Sequence, residues 1–261
     1  MPRGVNGVEE ARYRPAVPTR DVATEAPPQD GGLETFDTEL ARSINVARLE
    51  HLASLELDLD GLRVIDIGCG PGYLARYFVE RGCDVTCVDA RQENIDRLRE
   101  HSPTIPAYAM DAEDPALSSL GRFDVVFCYG LLYHVENPAR VLRNLVGLSN
   151  GLILLETIIC DSPLPVVRLA DEPLSANQAL HGIVSRLSPS YVAMVLDRPG
   201  FRYVYTPKRP PQHEDFLFDW RGDLAAERDG ANLRCVFVAS NRPAELETLT
   251  PLLAPGAEVE P

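Results

Sequence analysis

Three glycines at alternate positions, Gly68, Gly70 and Gly72, follow the apolar run Val64-Ile65-Asp66-Ile67 and lead into a helical pattern from Tyr73. Glycine is needed where backbone takes positive φ or where a ligand approaches too closely for a Cβ. A pyrophosphate fingerprint G-x-G-x-x-G counted from Gly68 would put its third glycine at position 73, where Tyr73 stands, so a dinucleotide is disfavoured. Asp89 ends the next β-rich run, seventeen residues after Gly72, and an acid there can accept both ribose hydroxyls. The two features together predict a nucleoside ligand without phosphates. His134, in GLLYHVENP, is a candidate general base, because imidazole titrates near neutral pH. The competing reading is a helix-start histidine bonded to backbone, with the adjacent Tyr133 as a pocket wall.

These residues need a scaffold that alternates strand and helix, and the chain has one. Leu62 to Ile67, Asp84 to Asp89, Ala107 to Met110, Phe123 to Cys128 and the stretch from Gly151 read as strands, and the runs from Tyr73, Arg91 and Pro138 read as helices. Strand and helix repeated in this way imply a parallel sheet with right-handed crossovers. Ser188-Pro189 reads as a helix start. Phe201 to Tyr205 and Arg234 to Ala239 predict a closing antiparallel hairpin. The loop from Pro207 holds His213 and Trp220, with Phe216, Phe218 and Trp220 expected to pack on the sheet.

The block VIDIGCGPG, with Asp89, the AYAMDAED segment and the FDVVFCYGLLYHVENP segment in that order, resembles the class I S-adenosylmethionine-dependent methyltransferases over about residues 60 to 160. The resemblance implies an α/β fold: a Rossmann-like, seven-stranded, mostly parallel sheet of order 3-2-1-4-5-7-6, strand 7 antiparallel, with helices on both faces. It implies S-adenosyl-L-methionine as cofactor, with Asp66, Gly68, Gly70 and Gly72 around its amino-acid end. Asp89 would meet the ribose, Asp111 and Ala112 the adenine, and Cys128, Tyr129 and Gly130 the methyl donor. His134 would then face the acceptor and remove its proton. Methyl transfer asks mainly for in-line placement of the nucleophile, with a base where a hydroxyl or ammonium must be deprotonated.

The acceptor pocket is expected from Tyr133 and from the segment 160–188, where Gln178, His181 and Arg186, with Glu156, are polar groups that could converge among apolar walls. Arg186 could take an acceptor carboxylate bidentately or pair with a neighbouring acid. Arg42 or Arg48, on the helical cap, would reach the cofactor carboxylate. The expected organisation is a flexible arm over 1–32, one methyltransferase domain over 33–241 with a helical cap at 33–59, and a tail over 242–261, whose leucines could dock a short helix.

The 261 residues carry 25 Lys and Arg against 39 Asp and Glu, a formal charge of −14, which disfavours a nucleic-acid partner. No apolar run reaches the length of a membrane span, and the six cysteines sit in apolar runs as buried thiols, so a cytoplasmic protein is expected. No ligand spacing supports a metal. The reading is a small-molecule methyltransferase, O-directed, acting on a natural-product or metabolite acceptor, with a homodimer left open. The alternatives are an enzyme like the tRNA wobble-uridine carboxymethyltransferases, which LLYHVENP also resembles, and a non-catalytic cofactor-binding scaffold.

Overall fold

The computed structural model describes residues 33–172, 178–216, 233–244 and 246–252. The arm over 1–32, Phe218 and Trp220 lie outside the described residues. The strands are β1 (Arg63–Ile67), β2 (Asp84–Asp89), β3 (Ala107–Ala109), β4 (Phe123–Tyr129), β5 (Ser149–Ile159), β6 (Val167–Asp171), β7 (Ile183–Leu187), β8 (Tyr203–Pro207), β9 (Leu233–Ser240) and β10 (Leu249–Pro251). The helices are α1 (Glu39–Ser54), α2 (Ala75–Val79), α3 (Gln92–His101), α4 (Pro138–Leu148) and α5 (Pro189–Asp197).

The main sheet runs β3-β2-β1-β4-β5-β9-β8, with β9 antiparallel to both β5 and β8, which is the expected seven-strand order. Three more strands extend it, so the expected count of seven is low. β10 pairs antiparallel with β8 at the edge, in the tail whose leucines could have docked a short helix. Three residues, Leu-Thr-Pro, are too few to carry a period-two pattern. β6 and β7 form a hairpin that joins β5 through the single pair Ile159 and Leu187. Both of its strands fall within the segment 160–188, which carried only polar candidates in the sequence.

Each face of the sheet buries its own apolar cluster. Ile65, Val126, Ile153 and Phe237 pack with Val141, Leu142 and Leu145 of α4 and Val192 and Leu196 of α5. Val64, Phe127, Leu154 and Val238 pack on the other face with Ile44 and Leu52 of α1, Phe78 of α2 and Ile95 and Leu98 of α3. Alternation along a strand sends neighbours to opposite faces. On the α1 face, polar residues replace apolar ones at the carboxyl ends of the strands: Asp66, Tyr129, Glu156. In an open α/β sheet this end, between β1 and β4 where the strand order reverses, is where ligands bind.

Two helices are capped by hydroxyl side chains, the one at Ser188 as expected. Ser188 accepts a bond from the Tyr191 N–H at 3.2 Å, and Thr38 one from the Ala41 N–H at 3.1 Å. The inner stripe of α1 includes Arg48 and His51 beside Ile44, Ala47 and Leu52. A buried guanidinium on that stripe needs a partner, and its partner lies in the site.

Candidate functional site

The turn after β1 is stitched to β2. The Val88 carbonyl accepts bonds from the N–H groups of Gly68 and Cys69 at 2.8 and 3.0 Å. Asp89 Oδ2 accepts from the Gly70 N–H at 2.9 Å, and its Oδ1 accepts from the Arg91 N–H and from Asn94 Nδ2, each at 2.9 Å. Gly68, Gly70 and Gly72 all have positive φ, at 78°, 52° and 83°. The space a Cβ would need at each is taken by the protein's own side chains: Leu131 at Gly68, Phe36 at Gly70 and Leu98 at Gly72, each 2.7 Å from the Cβ position. Bareness of this turn therefore serves internal packing as well as ligand approach.

Two adjoining cavities open over the turn. One, at the ends of β1 and β2, is lined by Asp89, Met110, Asp111, Ala112 and His134. The other, between the end of β4 and α1, is lined by Asn45, Arg48, Tyr129, Tyr133 and Arg234. Phe36, Gly68, Gly130 and Gln178 border both. Phe36 roofs the cleft from a short 3-10 turn, Leu33–Asp37. That turn is tied down by Asp37, whose Oδ1 accepts from the Tyr73 hydroxyl at 2.7 Å and whose Oδ2 pairs with Arg97.

The floor of the second cavity is a buried charge chain. Glu156 is fully buried and pairs through Oε2 with Arg48 and through Oε1 with Arg234 Nη1 at 3.1 Å. Burial alone would raise its carboxyl, but the two guanidiniums outweigh burial and hold it below the usual carboxylate range. Arg234 Nε also reaches Asp215 Oδ2 at 3.2 Å, and its Nη1 donates to the Tyr133 hydroxyl at 3.3 Å. The Asp66 carboxyl, raised by burial and by the charge of Asp89 against the pull of Arg48, is pushed up to about 8.

His134 sits in the 3-10 turn after β4, and its Nδ1 donates to Glu172 Oε1 at 3.0 Å. Glu172 Oε2 in turn accepts the backbone N–H groups of Gln178 and Ala179 at 2.8 and 2.7 Å. Burial would raise the Glu172 carboxyl, but the bonds from His134 and Ala179 outweigh it, so it stays an anion. Burial lowers His134 more than Glu172 raises it, so the imidazole is neutral at neutral pH. A carboxylate can only accept, so the ring proton must be on Nδ1. The Nε2 lone pair then has no partner among the described residues.

The cleft gathers Gly68, Asp89, Asp111, Ala112, Tyr129, Tyr133, His134 and Gln178 from among the residues singled out by sequence. Asp66 lies buried at the end of β1, facing the α1 side. Cys128, expected near the methyl donor, lines neither cavity. Alternation along β4 turns its thiol into the α4 and α5 cluster while Tyr129 faces the cleft. His181 is exposed, with Nε2 3.7 Å from Asp111 Oδ2, and does not line the cleft. His213 contacts Ser43 Oγ at 3.3 Å. Among the described residues no group of three or more His, Cys, Asp and Glu could hold a metal, and no helix is long and apolar enough to cross a membrane. Sequence reasoning missed Phe36, Glu172 and Arg234. Only Arg234 carried a signal, a charge opening an otherwise apolar strand.

A family described as a methyltransferase domain matches residues 35–206. The chain belongs to that family, the class I S-adenosylmethionine-dependent methyltransferases. Among curated relatives it is 34% identical over 122 residues to ubiquinone biosynthesis O-methyltransferase of Bordetella avium, and 35% identical over 121 residues to the protein of that name in Aeromonas salmonicida. Each match covers 44% of this chain and 51% of the relative, so the chain spans about half the length of the curated relatives it matches. Among solved structures, the N-terminal domain of EvdMO1 with SAH bound superposes at a TM-score of 0.58, with 21% identity over 76% of this chain and 81% of that one. A Mesorhizobium loti S-adenosylmethionine dependent methyltransferase superposes at 0.51, with 21% identity over 74% and 97%. These likenesses show the shared fold.

Proposed function

We propose that the protein methylates a hydroxyl oxygen of a small-molecule acceptor, using S-adenosylmethionine, with His134 as the base. The observation that carries this reading is the His134–Glu172 pair, which leaves the Nε2 of a cleft-lining histidine buried and without a partner among the described residues. The names of the curated relatives support oxygen as the methylated atom, and the charge of −14 supports a small acceptor over a polyanion.

The unpartnered buried atoms fit a zwitterionic amino acid. Arg48 Nε and the Tyr129 hydroxyl are donors without partners among the described residues, and Asp66 Oδ2 is an acceptor without one. On this reading Arg48 and Tyr129 hold the cofactor carboxylate, Asp66 its ammonium, Asp89 the ribose, and Asp111 and Ala112 the adenine. When bound, S-adenosylmethionine supplies an electrophilic methyl, which the acceptor oxygen takes as the carbon–sulfur bond breaks with its electron pair on sulfur. His134 Nε2 receives the hydroxyl proton, and the anionic Glu172 stabilises the imidazolium that results. Phe36 keeps water out from above. Tyr133 and Gln178 form the acceptor wall.

The test is His134→Ala, with cofactor affinity and turnover on a panel of phenolic and aliphatic hydroxyl compounds measured separately. Turnover is expected to fall about 100- to 10,000-fold with cofactor affinity nearly kept. Unchanged turnover removes His134 as the base. Absence of S-adenosylmethionine binding by the wild type removes the whole reading.

A further inference from the structure

Two guanidiniums flank the Tyr133 ring, Arg234 at 5.1 Å from its centroid and Arg186 at 5.8 Å. The charged groups around that ring come from several elements: Arg48 on α1, Glu156 on β5, Glu172 after β6, Arg186 on β7, Asp215 in the loop after β8 and Arg234 on β9. Their pairing is uneven. Glu156 serves Arg48 and Arg234, and Asp215 serves Arg234. Glu172 is occupied by His134 Nδ1 and two backbone N–H groups. Arg186 has only the Ser185 carbonyl, 3.3 Å from its Nη1, and among the described residues it forms no ion pair. It is half-buried, and burial together with the charge of Arg234 weakens its hold on its own proton. A partly desolvated cation left without an anion is costly, and a ligand anion relieves that cost.

Tyr133 also has a hydroxyl proton to give. Arg234 can only donate, so at that contact the Tyr133 oxygen accepts, and its own O–H finds no acceptor among the described residues, which leaves it for an oxygen in the cleft. The His134 ring lies 4.2 Å from the Tyr133 ring, centroid to centroid. His134 and the unpaired guanidinium thus both approach one aromatic side chain, at 4.2 and 5.8 Å from its ring centroid, and that side chain borders the cleft.

We propose that Arg186 binds a carboxylate on the methyl acceptor, so that the acceptor is a hydroxy acid with its carboxylate on Arg186 and Tyr133 and its hydroxyl on His134 Nε2. The planar guanidinium fork matches a carboxylate bidentately. The inference rests on the methyl-transfer reading of this same cleft, and names the acceptor class that reading left open.

The experiment measures binding of 3-hydroxybenzoate and 3,4-dihydroxybenzoate, and of their methyl esters, to the complex with S-adenosylhomocysteine. Turnover with S-adenosylmethionine is measured on the same four compounds. Wild type is expected to bind the acids about 10- to 100-fold more tightly than the esters. Arg186→Gln is expected to cut that preference to about threefold or less, and Arg186→Lys to restore part of it, because a charge-assisted bond is lost and then regained as a point charge. Unchanged affinity for S-adenosylhomocysteine reports that the variants are folded; should Arg186→Gln fail that control, the wild-type and Arg186→Lys preferences decide. Equal binding of acid and ester, a preference that survives in Arg186→Gln, or binding of neither compound overturns the assignment. Arg186-dependent binding of acids without any methylated product leaves the carboxylate assignment standing and counts against the methyl-transfer reading.

Discussion

Glu172 reaches back 38 residues to His134 and accepts its Nδ1 proton at 3.0 Å, which fixes the tautomer of the proposed base and leaves its Nε2 without a partner among the described residues. The carboxylate is itself fixed by the Gln178 and Ala179 N–H groups, so the imidazole is oriented by the end of the β6–β7 hairpin. A residue that acts through another in this way is a positioning residue. Glu172→Gln keeps the shape and removes the charge. Turnover is expected to fall about 10- to 100-fold with KM for the cofactor nearly unchanged, and Glu172→Asp is expected to recover part of it. Equal losses in kcat and in cofactor affinity would point to a purely structural carboxylate.

The same pair sets the pH dependence. A base must be unprotonated to act, and burial holds His134 below its ordinary value of 6.5 against the opposing pull of Glu172. Activity is therefore present above the His134 pKa and lost as pH falls through it, and the acidic limb of kcat/KM should lie below 6.5. In Glu172→Gln the opposing pull is gone and the limb should move to still lower pH. A limb at or above 6.5 in the wild type would place the titrating group elsewhere.

Asp66 couples stability to function. Its folded-state carboxyl is raised from 3.8 to about 8, by burial first and by Asp89 second. Between those values the native state keeps a proton that the unfolded chain releases, so stability falls as pH rises from about 4 to about 8. Asp66→Asn removes this slope. At pH 8 the cofactor-free protein should gain about 1–2 kcal/mol, or about 3–6 °C in Tm, while cofactor affinity drops. Loss of stability in this variant, read by thermal unfolding at pH 5 and pH 8, would contradict the assignment.

Gly70 and Gly61 form a matched pair. Both have positive φ, 52° and 70°, but a Cβ at Gly70 would meet the Phe36 ring at 2.7 Å whereas none at Gly61 meets anything within 4 Å. Gly61→Ala should cost only backbone strain, about 1–2 kcal/mol. Gly70→Ala should cost that strain and also displace the roof, seen as faster release of S-adenosylhomocysteine in stopped-flow. Equal release rates in the two variants would show that Phe36 does not cover the bound cofactor.

Legibility in the sequence follows the range of the signal. The glycine turn, the acid at Asp89 and the apolar runs of β1, β4 and β5 are local patterns, and the expected seven-strand order emerges from them. β10 has three residues, and the β6–β7 hairpin carries no clean alternation, so neither declares itself. The thiol of Cys128 turns away from the cleft because side chains alternate along β4, which nearness in sequence does not reveal. Glu172, Phe36 and Arg234 were missed for a different reason: each acts through a contact 34 to 101 residues away, Phe36 on Gly70, Glu172 on His134 and Arg234 on Tyr133. Such partnerships are properties of the assembled sheet, and no short window contains them.

The clasp on Glu156 closes from both directions, with Arg48 arriving from 108 residues earlier and Arg234 from 78 residues later. During synthesis β1 through β4 emerge well before β9, so the contacts among them can form first. Until then a carboxylate destined for full burial holds only one of its two counter-charges. The compartment beside Tyr133 is thus completed only once β9 is in place, and a chain cut short before residue 233 would have the glycine turn and Asp89 but lack the second guanidinium of the floor.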